Sequence, residues 1–226
     1  MKYKCRCSAI GEIMTEPKSK KDGNLSQTAK SHCESWLKEK LYDRRKQVKS
    51  KYLEKGLSVE NDAIYYASKH LNWGEAVKNT TRLENDFIQG ECDVLTDTHV
   101  HDIKASWDFD TFPLFEKSIP SKGYEWQVQG YMMLYNRKQA SVTYALMDMP
   151  MEIIDREVRW NLGETFSRKQ YDTFINQFIY SHLKPNLRLK QFHFEYSEEK
   201  AEAIKNRVAE CQVYINELFD EIYLKR

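Results

Sequence analysis

Nowhere among the 226 residues is there an apolar run long enough to cross a bilayer; stretches such as YMMLY and YALM fall far short of the ~20 residues needed. The opening Met1-Lys2-Tyr3-Lys4 leads into no apolar segment, so no secretory signal is expected. Cysteines number five, at 5, 7, 33, 92 and 211, an odd and irregular set that makes no disulfide framework. Reduced thiols in a cytoplasm are the simplest expectation. Internal repeats, low-complexity tracts and flexible linkers are also missing. What remains is 41% hydrophobic and 31% charged, the composition of a soluble globular protein rather than a disordered one.

The net charge of +1 hides an asymmetry. Residues 1–60 carry 15 Lys and Arg against 8 Asp and Glu, whereas the remaining 166 carry 20 against 26. Lys18, Lys20 and Lys21, and the run Arg44-Arg45-Lys46 through Lys51, account for much of the excess. Such a basic half suits a polyanionic partner, although charge alone fits a solvated helix face equally well.

Residues 1–25 suggest a short helix and a basic loop. A helix is expected over 26–48, capped by Ser26 or Thr28, with Trp36, Leu37 and Leu41 on its apolar side. Gly56 breaks the pattern, and Ser58-Val59-Glu60 opens a second helix to about Leu71, with Val59, Ala63, Ile64 and Ala67 at helical spacing. Residues 80–106 read as strands, Lys122 to Asn136 as helix, and Ala140–Met147 as a buried strand closed by Pro150. Beyond it the chain turns mainly helical, over about 164–182 and 197–224, around an alternating strand at Leu189–Tyr196. This order implies an α/β fold with a mixed sheet.

The stretch GECDVLTDTHVHDIKAS, residues 90–106, reads as a β-hairpin. With the turn centred on Asp97-Thr98, Asp93 faces Asp102, and Lys104 shares a face with Asp102 roughly 7 Å further on. Two carboxylates opposed across a ladder repel each other. A divalent cation removes the repulsion, since hard ions prefer oxygen ligands. Lys104 beside it could orient or deprotonate a water, or stabilise charge on a phosphate. Cys92, Val94, Ile103 and Ala105, on the other faces, suit a core. An exposed sheet face with scattered charges remains the competing reading. Glu60 in the first turn of its helix is explained by the helix dipole alone. In Trp126-Gln127-Val128-Gln129-Gly130-Tyr131, Gln127 and Tyr131 project from one face.

Taken in order, Glu60, Gly90-x-x-Asp93, Asp102-Ile103-Lys104 and Gln127-x-x-x-Tyr131 resemble the PD-(D/E)xK nucleases, in the lambda-exonuclease and RecB-type branch that includes YqaJ-like phage exonucleases. The resemblance covers about residues 56–148, and the opening CRCSAIGEIMT also looks like the start of phage exonucleases. Cys92 replaces the family's proline, and Asp102 stands where Glu is an alternative; neither change removes a ligand.

The resemblance implies a restriction-endonuclease-like core: a central mixed β-sheet flanked by helices, with helical additions at both ends. One nuclease domain would span 1–226, with its core at about 56–150, a basic helical part at 1–55 and a mainly helical part at 151–226. Asp93 would be a central, bridging metal ligand, completed by Asp102, the Ile103 carbonyl and Glu60. In a structure, the two aspartates should converge on one cation with Glu60 in direct or water-mediated reach. Lys104 would position or activate the nucleophilic water, Gln127 would orient Lys104 or a phosphate, and Tyr131 would support that helix. Arg6 and Ser8 would contact a terminal phosphate, with Ser8 near the start of a short helix. Arg44, Arg45 and Lys46 would line the DNA path.

The implied activity is Mg²⁺- or Mn²⁺-dependent hydrolysis of DNA, foremost 5′-to-3′ digestion of duplex ends in phage or prophage recombination. A homo-oligomeric ring and a single-strand annealing protein are the implied partners, with no membrane involved. An endonuclease of DNA processing or defence, and a non-catalytic DNA-binding protein on the same fold, are the alternatives. Only Cys211 follows the core, which argues against the superfamily's iron–sulfur branch. Cys5-x-Cys7 with Cys33 is no zinc pattern, and His99 and His101 read as surface or hydrogen-bonding residues. In Trp107-Asp108-Phe109-Asp110-Thr111-Phe112-Pro113, at least two aromatics are expected to pack in the core; the segment could also stack bases or wedge a duplex end.

Overall fold

The computed structural model describes residues 1–19, 23–47 and 49–223. Lys20 and Lys21 of the basic loop, Val48 and Leu224 lie outside the described residues. Among those described, no helix is long and apolar enough to cross a membrane.

Among the described residues, seven strands form two sheets. In the smaller, β1 (Cys5–Arg6) pairs parallel with β3 (Ile88–Gly90), and β2 (Leu83–Glu84) pairs antiparallel on its other side. The larger is mixed, in the order β4 (Val94–Leu95), β5 (His99–Ala105), β6 (Gln139–Ala145), β7 (Leu189–Glu195). The parallel β5–β6 pair is joined through α4 (Lys122–Tyr135), as a parallel connection requires. Val94 pairs with His101 and Leu95 with Val100, the register that a turn at Asp97-Thr98 demands.

Helices cover both faces of β5. Towards α4 lie Val100, Val128, Tyr131 and Met132, in a core that also takes in α1 (Ile10–Ile13), α2 (Gln27–Leu41) and α7 (Glu198–Tyr223). Towards α3 (Lys51–His70) lie Val94 and Ile103, packed on Val59, Ala63, Ile64 and Ala67. The exposed-face reading of the hairpin therefore fails: Asp102 is 1% exposed. Cys92 also packs on the α4 side, with Val100, rather than beside Val94 and Ile103.

Local chemistry sets the helix ends. Ser26 caps α2, its Oγ accepting the Ala29 N–H at 3.0 Å. That helix stops at Leu41, short of the expected 48, where Asp43 turns into the left-handed region at φ 45°. Asn136, at φ 51°, ends α4 in the same way. Contrary to the break expected at Gly56, α3 starts from Ser50 and runs straight through it; Glu60 is the tenth of its twenty residues. A mid-helix glycine costs only about 0.5–1 kcal/mol, which the buried stripe on the same helix outweighs.

After Pro150 the helices are α5 (Met151–Leu162) and α6 (Arg168–Ile175), packed in a separate apolar cluster around Ile153, Ile154 and Val158. At the other end of the chain, α1 crosses α4 at close quarters. A Cβ on Gly11 would lie 2.5 Å from the Gly123 Cα, so the glycine at 11 permits the contact.

Candidate active site

Asp102 and Lys104 leave β5 on the side that α4 covers, and Gln127 reaches them from that helix. Gln127 Nε2 donates to Asp102 Oδ1 at 2.9 Å and lies 3.0 Å from the Tyr131 hydroxyl. Lys104 Nζ sits 2.7 Å from Asp102 Oδ2 and donates to Gln127 Oε1 at 3.4 Å. The helix spacing thus brings Gln127 and Tyr131 onto the strand's polar pair. Tyr124, one turn before Gln127, closes the group, with the Lys104 ammonium 4.5 Å from its ring centroid.

Asp93, at the mouth of β4, accepts the Ile103 N–H on Oδ2 at 2.6 Å. Burial, then the neighbouring Asp102 charge, push its carboxyl well above the usual carboxylate range. For Lys104, burial alone would lower the ammonium, but Asp102 and then Asp93 outweigh it and leave it raised. Asp102 Oδ2 is ion-paired with Lys104 but takes part in no well-aligned hydrogen bond. Two buried carboxylates, one with an incompletely satisfied oxygen, fit a hard divalent ion.

Glu60 stands apart from this group. Its dipole explanation fails because it lies mid-helix, and its Oε2 is taken by Lys78 Nζ at 2.5 Å. Among the described residues, no three His, Cys, Asp or Glu side chains gather closely enough to hold a metal ion as they stand. Convergence of Asp93 and Asp102 with Glu60 on one cation is thus not preformed. Ile103 enters through its N–H.

The five residues expected to meet DNA come together. Arg6, Ser8, Arg44, Arg45 and Lys46 all line one cleft of ≈ 1430 Å³, with Glu12 and Glu39 also in its wall. Arg6 and Ser8 are exposed while Cys5, Cys7 and Ala9 are buried. Cys7 turns inward, where Gly90 and Gly130 leave space for its sulfur, next to the elements that carry Asp93 and Gln127. Ser8 is the second residue of a short 3₁₀ helix over Cys7–Ala9, near the start of a helical segment as expected, and α1 follows. Neither helix carries a side-chain cap.

His101 hydrogen-bonds Ser141 Oγ at 2.8 Å and stacks on Trp73, and His99 bonds Thr98. Phe112 is buried and Trp107 packs against the α5 cluster, whereas Phe109 is 66% exposed. All five cysteines are free and buried. Tyr124 was within reach of sequence reasoning, one turn from Gln127. Lys78 was not, because its place depends on a contact between distant segments.

A mixed sheet carrying adjoining aspartates and a lysine two residues on, roofed by a glutamine-bearing helix, is a nuclease core of restriction-endonuclease type. No family model and no curated protein matches the chain. Among solved structures, the phage related exonuclease from Haemophilus somnus 129PT is 30% identical with a TM-score of 0.82, spanning 98% of this chain and 97% of that one. The chain belongs to this family of phage-related exonucleases. An alkaline exonuclease from Laribacter hongkongensis (LHK-Exo) shares the fold at 12% identity, with a TM-score of 0.66 over 98% and 92% of the two chains. So does LHK-Exo in complex with dAMP, at 13% identity, with a TM-score of 0.65 over 99% and 95%.

Proposed function

We propose that the protein is a divalent-metal-dependent deoxyribonuclease that digests duplex DNA from 5′ ends, serving phage or prophage recombination. The observation that carries the reading is the buried Asp102–Gln127–Lys104 triangle with Asp93 on the adjoining strand. Membership of a phage-related exonuclease family supports the reaction class. Asp93 and Asp102, with the Ile103 carbonyl, would hold Mg²⁺ or Mn²⁺. The ion would supply Lewis-acid stabilisation of charge on the phosphate and the leaving oxygen.

The chain's own residues do the rest. Lys104, a charged donor in this pairing, holds a water or a non-bridging phosphate oxygen by hydrogen bond. Gln127 fixes both Asp102 and Lys104, and Tyr131 anchors Gln127. Hydrolysis joins the water oxygen to phosphorus, breaks the P–O bond to the neighbouring nucleoside and returns a proton to that leaving oxygen. Arg6 and Ser8 would receive a terminal 5′-phosphate in the cleft, along a path lined by Arg44, Arg45 and Lys46. A ring-shaped homo-oligomer working beside a single-strand annealing protein would suit processive digestion.

The test compares linear duplexes bearing 5′-phosphate, 5′-hydroxyl or covalently closed ends with supercoiled circles. Preferred digestion of the 5′-phosphorylated duplex, abolished by chelator, is expected. Rapid cutting of closed circles, or indifference to the 5′ group, would overturn the exonuclease reading in favour of an endonuclease.

A further inference from the structure

Lys55 is a buried charge that the hydrolysis itself does not use. It is 1% exposed, and its ammonium donates to the Ser106 carbonyl at 2.8 Å and to the Trp107 carbonyl at 2.7 Å. Burial draws it down to about 8, and the charges of Asp108 and Asp148 oppose that fall. A desolvated ammonium costs far more than an apolar side chain filling the same space, so packing does not account for a lysine here. Its partners do. Ser106 and Trp107 follow directly on β5, whose Asp102 and Lys104 meet Gln127. The Ser106 N–H makes the last bond to β6, donating to the Ala145 carbonyl at 3.0 Å. Beyond that point Lys55 holds the next two carbonyls, and bonds from a charged donor are the stronger kind.

The same part of α3 borders the basic cleft. Residues two apart on a helix lie about 200° around its axis, and Leu53, 47% exposed, lines that cleft together with Lys49, Arg6 and Arg44. Around Lys55, Tyr52 meets the Trp107 ring edge-on at 5.1 Å between centroids, and the Lys51 ammonium lies 4.7 Å from the same ring. The opening turns of α3 therefore border the cleft on one side and grip the end of the reacting strand on the other. We propose that Lys55 is a positioning residue, which fixes the end of β5, and with it Lys104, relative to the DNA lying in the cleft. This rests on the nuclease reading and deepens it. A strand end released from Lys55 would leave duplex binding intact and misplace the groups that act on the phosphate.

The test measures three quantities on the full chain: single-turnover cleavage of a 5′-phosphorylated duplex at saturating enzyme and Mg²⁺, duplex affinity by fluorescence anisotropy, and amide hydrogen exchange without metal. Lys55→Met keeps the length of the side chain and removes its donors. It is expected to lower the single-turnover rate about ten- to a hundredfold, the scale of a misplaced reacting group, with duplex affinity unchanged. Its amides from Lys104 to Trp107 should exchange faster than in the wild type, while those of β7 keep their protection. Lys55→Arg, which restores a cation with several donors, is expected to recover most of the rate. Lys55→Gln, one bond too short to span both carbonyls, serves as the second variant should Lys55→Met not fold, and the same loss is expected of it. Faster exchange with a wild-type rate would make Lys55 a structural fastening alone and overturn the assignment. A rate loss that Lys55→Arg does not reverse, or one matched by an equal loss of duplex affinity, would overturn it as well. Each of these leaves the nuclease reading standing; no cleavage by the wild type would overturn both.

Discussion

Asp93 is held where its charge is unwelcome. Its folded-state pKa lies above the unfolded value, first through burial and then through Asp102. Such a carboxyl binds its proton more tightly in the folded state, so stability falls as pH rises from the ordinary carboxylate range through the folded value. Asp93→Asn should therefore raise the metal-free unfolding free energy at neutral pH, by on the order of 1 kcal/mol, while cleavage falls at least about 10²–10³-fold. A calorimetric scan paired with a nuclease assay reads both. Asp102→Ala and Lys104→Ala should lose activity on the same scale, and near-wild-type cleavage by folded Lys104→Ala would sink the mechanism. His101 behaves in the opposite sense. Burial, with His99 and His193 nearby, lowers it from 6.5 to about 3, so the unfolded chain takes up a proton that the folded one refuses. Its contribution is intact above pH 6.5 and is lost as pH falls towards 3, at up to about 1.4 kcal/mol per unit. Urea titrations across that window should show the slope, and His101→Gln should flatten it. At this scale the sequence was informative for Asp93, Asp102, Lys104 and Gln127, because strand alternation and helix spacing tie their neighbours together. It was silent on Lys55, whose buried ammonium donates to the Ser106 and Trp107 carbonyls at 2.8 and 2.7 Å, since nothing local distinguishes it from its exposed lysine neighbours.

Elements whose partners are close in sequence were legible; those stabilised from a distance were not. The β4–β5 hairpin register follows from a two-residue turn and alternation of period two. Strands β1 and β2, two residues each, exist only because β3 lies between them, some 80 residues from Cys5 in one case. The start of α3 was misplaced because Gly56 and Ser58 resemble punctuation, whereas Ser50 is the cap and Lys55, Val59, Ala63 and Ile64 make one buried stripe. The α1–α4 crossing is sensitive to a single added atom. Gly11→Ala would place a methyl group 2.5 Å from the Gly123 main chain, which cannot rotate away. Overpacking of this kind costs about 1–3 kcal/mol. The variant is expected to be less stable by that margin, and to lose preference for 5′-phosphorylated ends before it loses cleavage itself, because α1 follows closely on Arg6 and Ser8. Equal loss of preference and rate would show that the turn and the catalytic helix move as one.

Across the whole molecule, Asp93 and Asp102 lie at the large sheet, while Arg6, Arg44, Arg45, Lys46 and Lys49 gather with Glu12, Glu39 and Asp43 in one cleft. The asymmetry between the first 60 residues and the rest was visible in the sequence; that Arg6 and Ser8 share a wall with Arg44–Lys46 was not, because the fold alone brings α1 beside the loop after α2. Arg44, Arg45 and Lys46 are exposed, and the Lys46 tie to Glu39 runs through its backbone N–H, so their side chains can be exchanged without touching the core. If they neutralise phosphates, each phosphate left without its cation should reduce the slope of log K against log salt by about 0.9. Arg44→Glu, Arg45→Glu and Lys46→Glu together should therefore weaken duplex binding at low salt, flatten its salt dependence by ~2–3 units of slope, and leave the melting temperature unchanged. Fluorescence anisotropy with an end-labelled duplex, repeated across a salt series, measures all but the last. Binding that keeps the wild-type slope would place the duplex on another face, and would overturn the proposal that the cleft beside Arg6 and Ser8 guides the strand to Asp102.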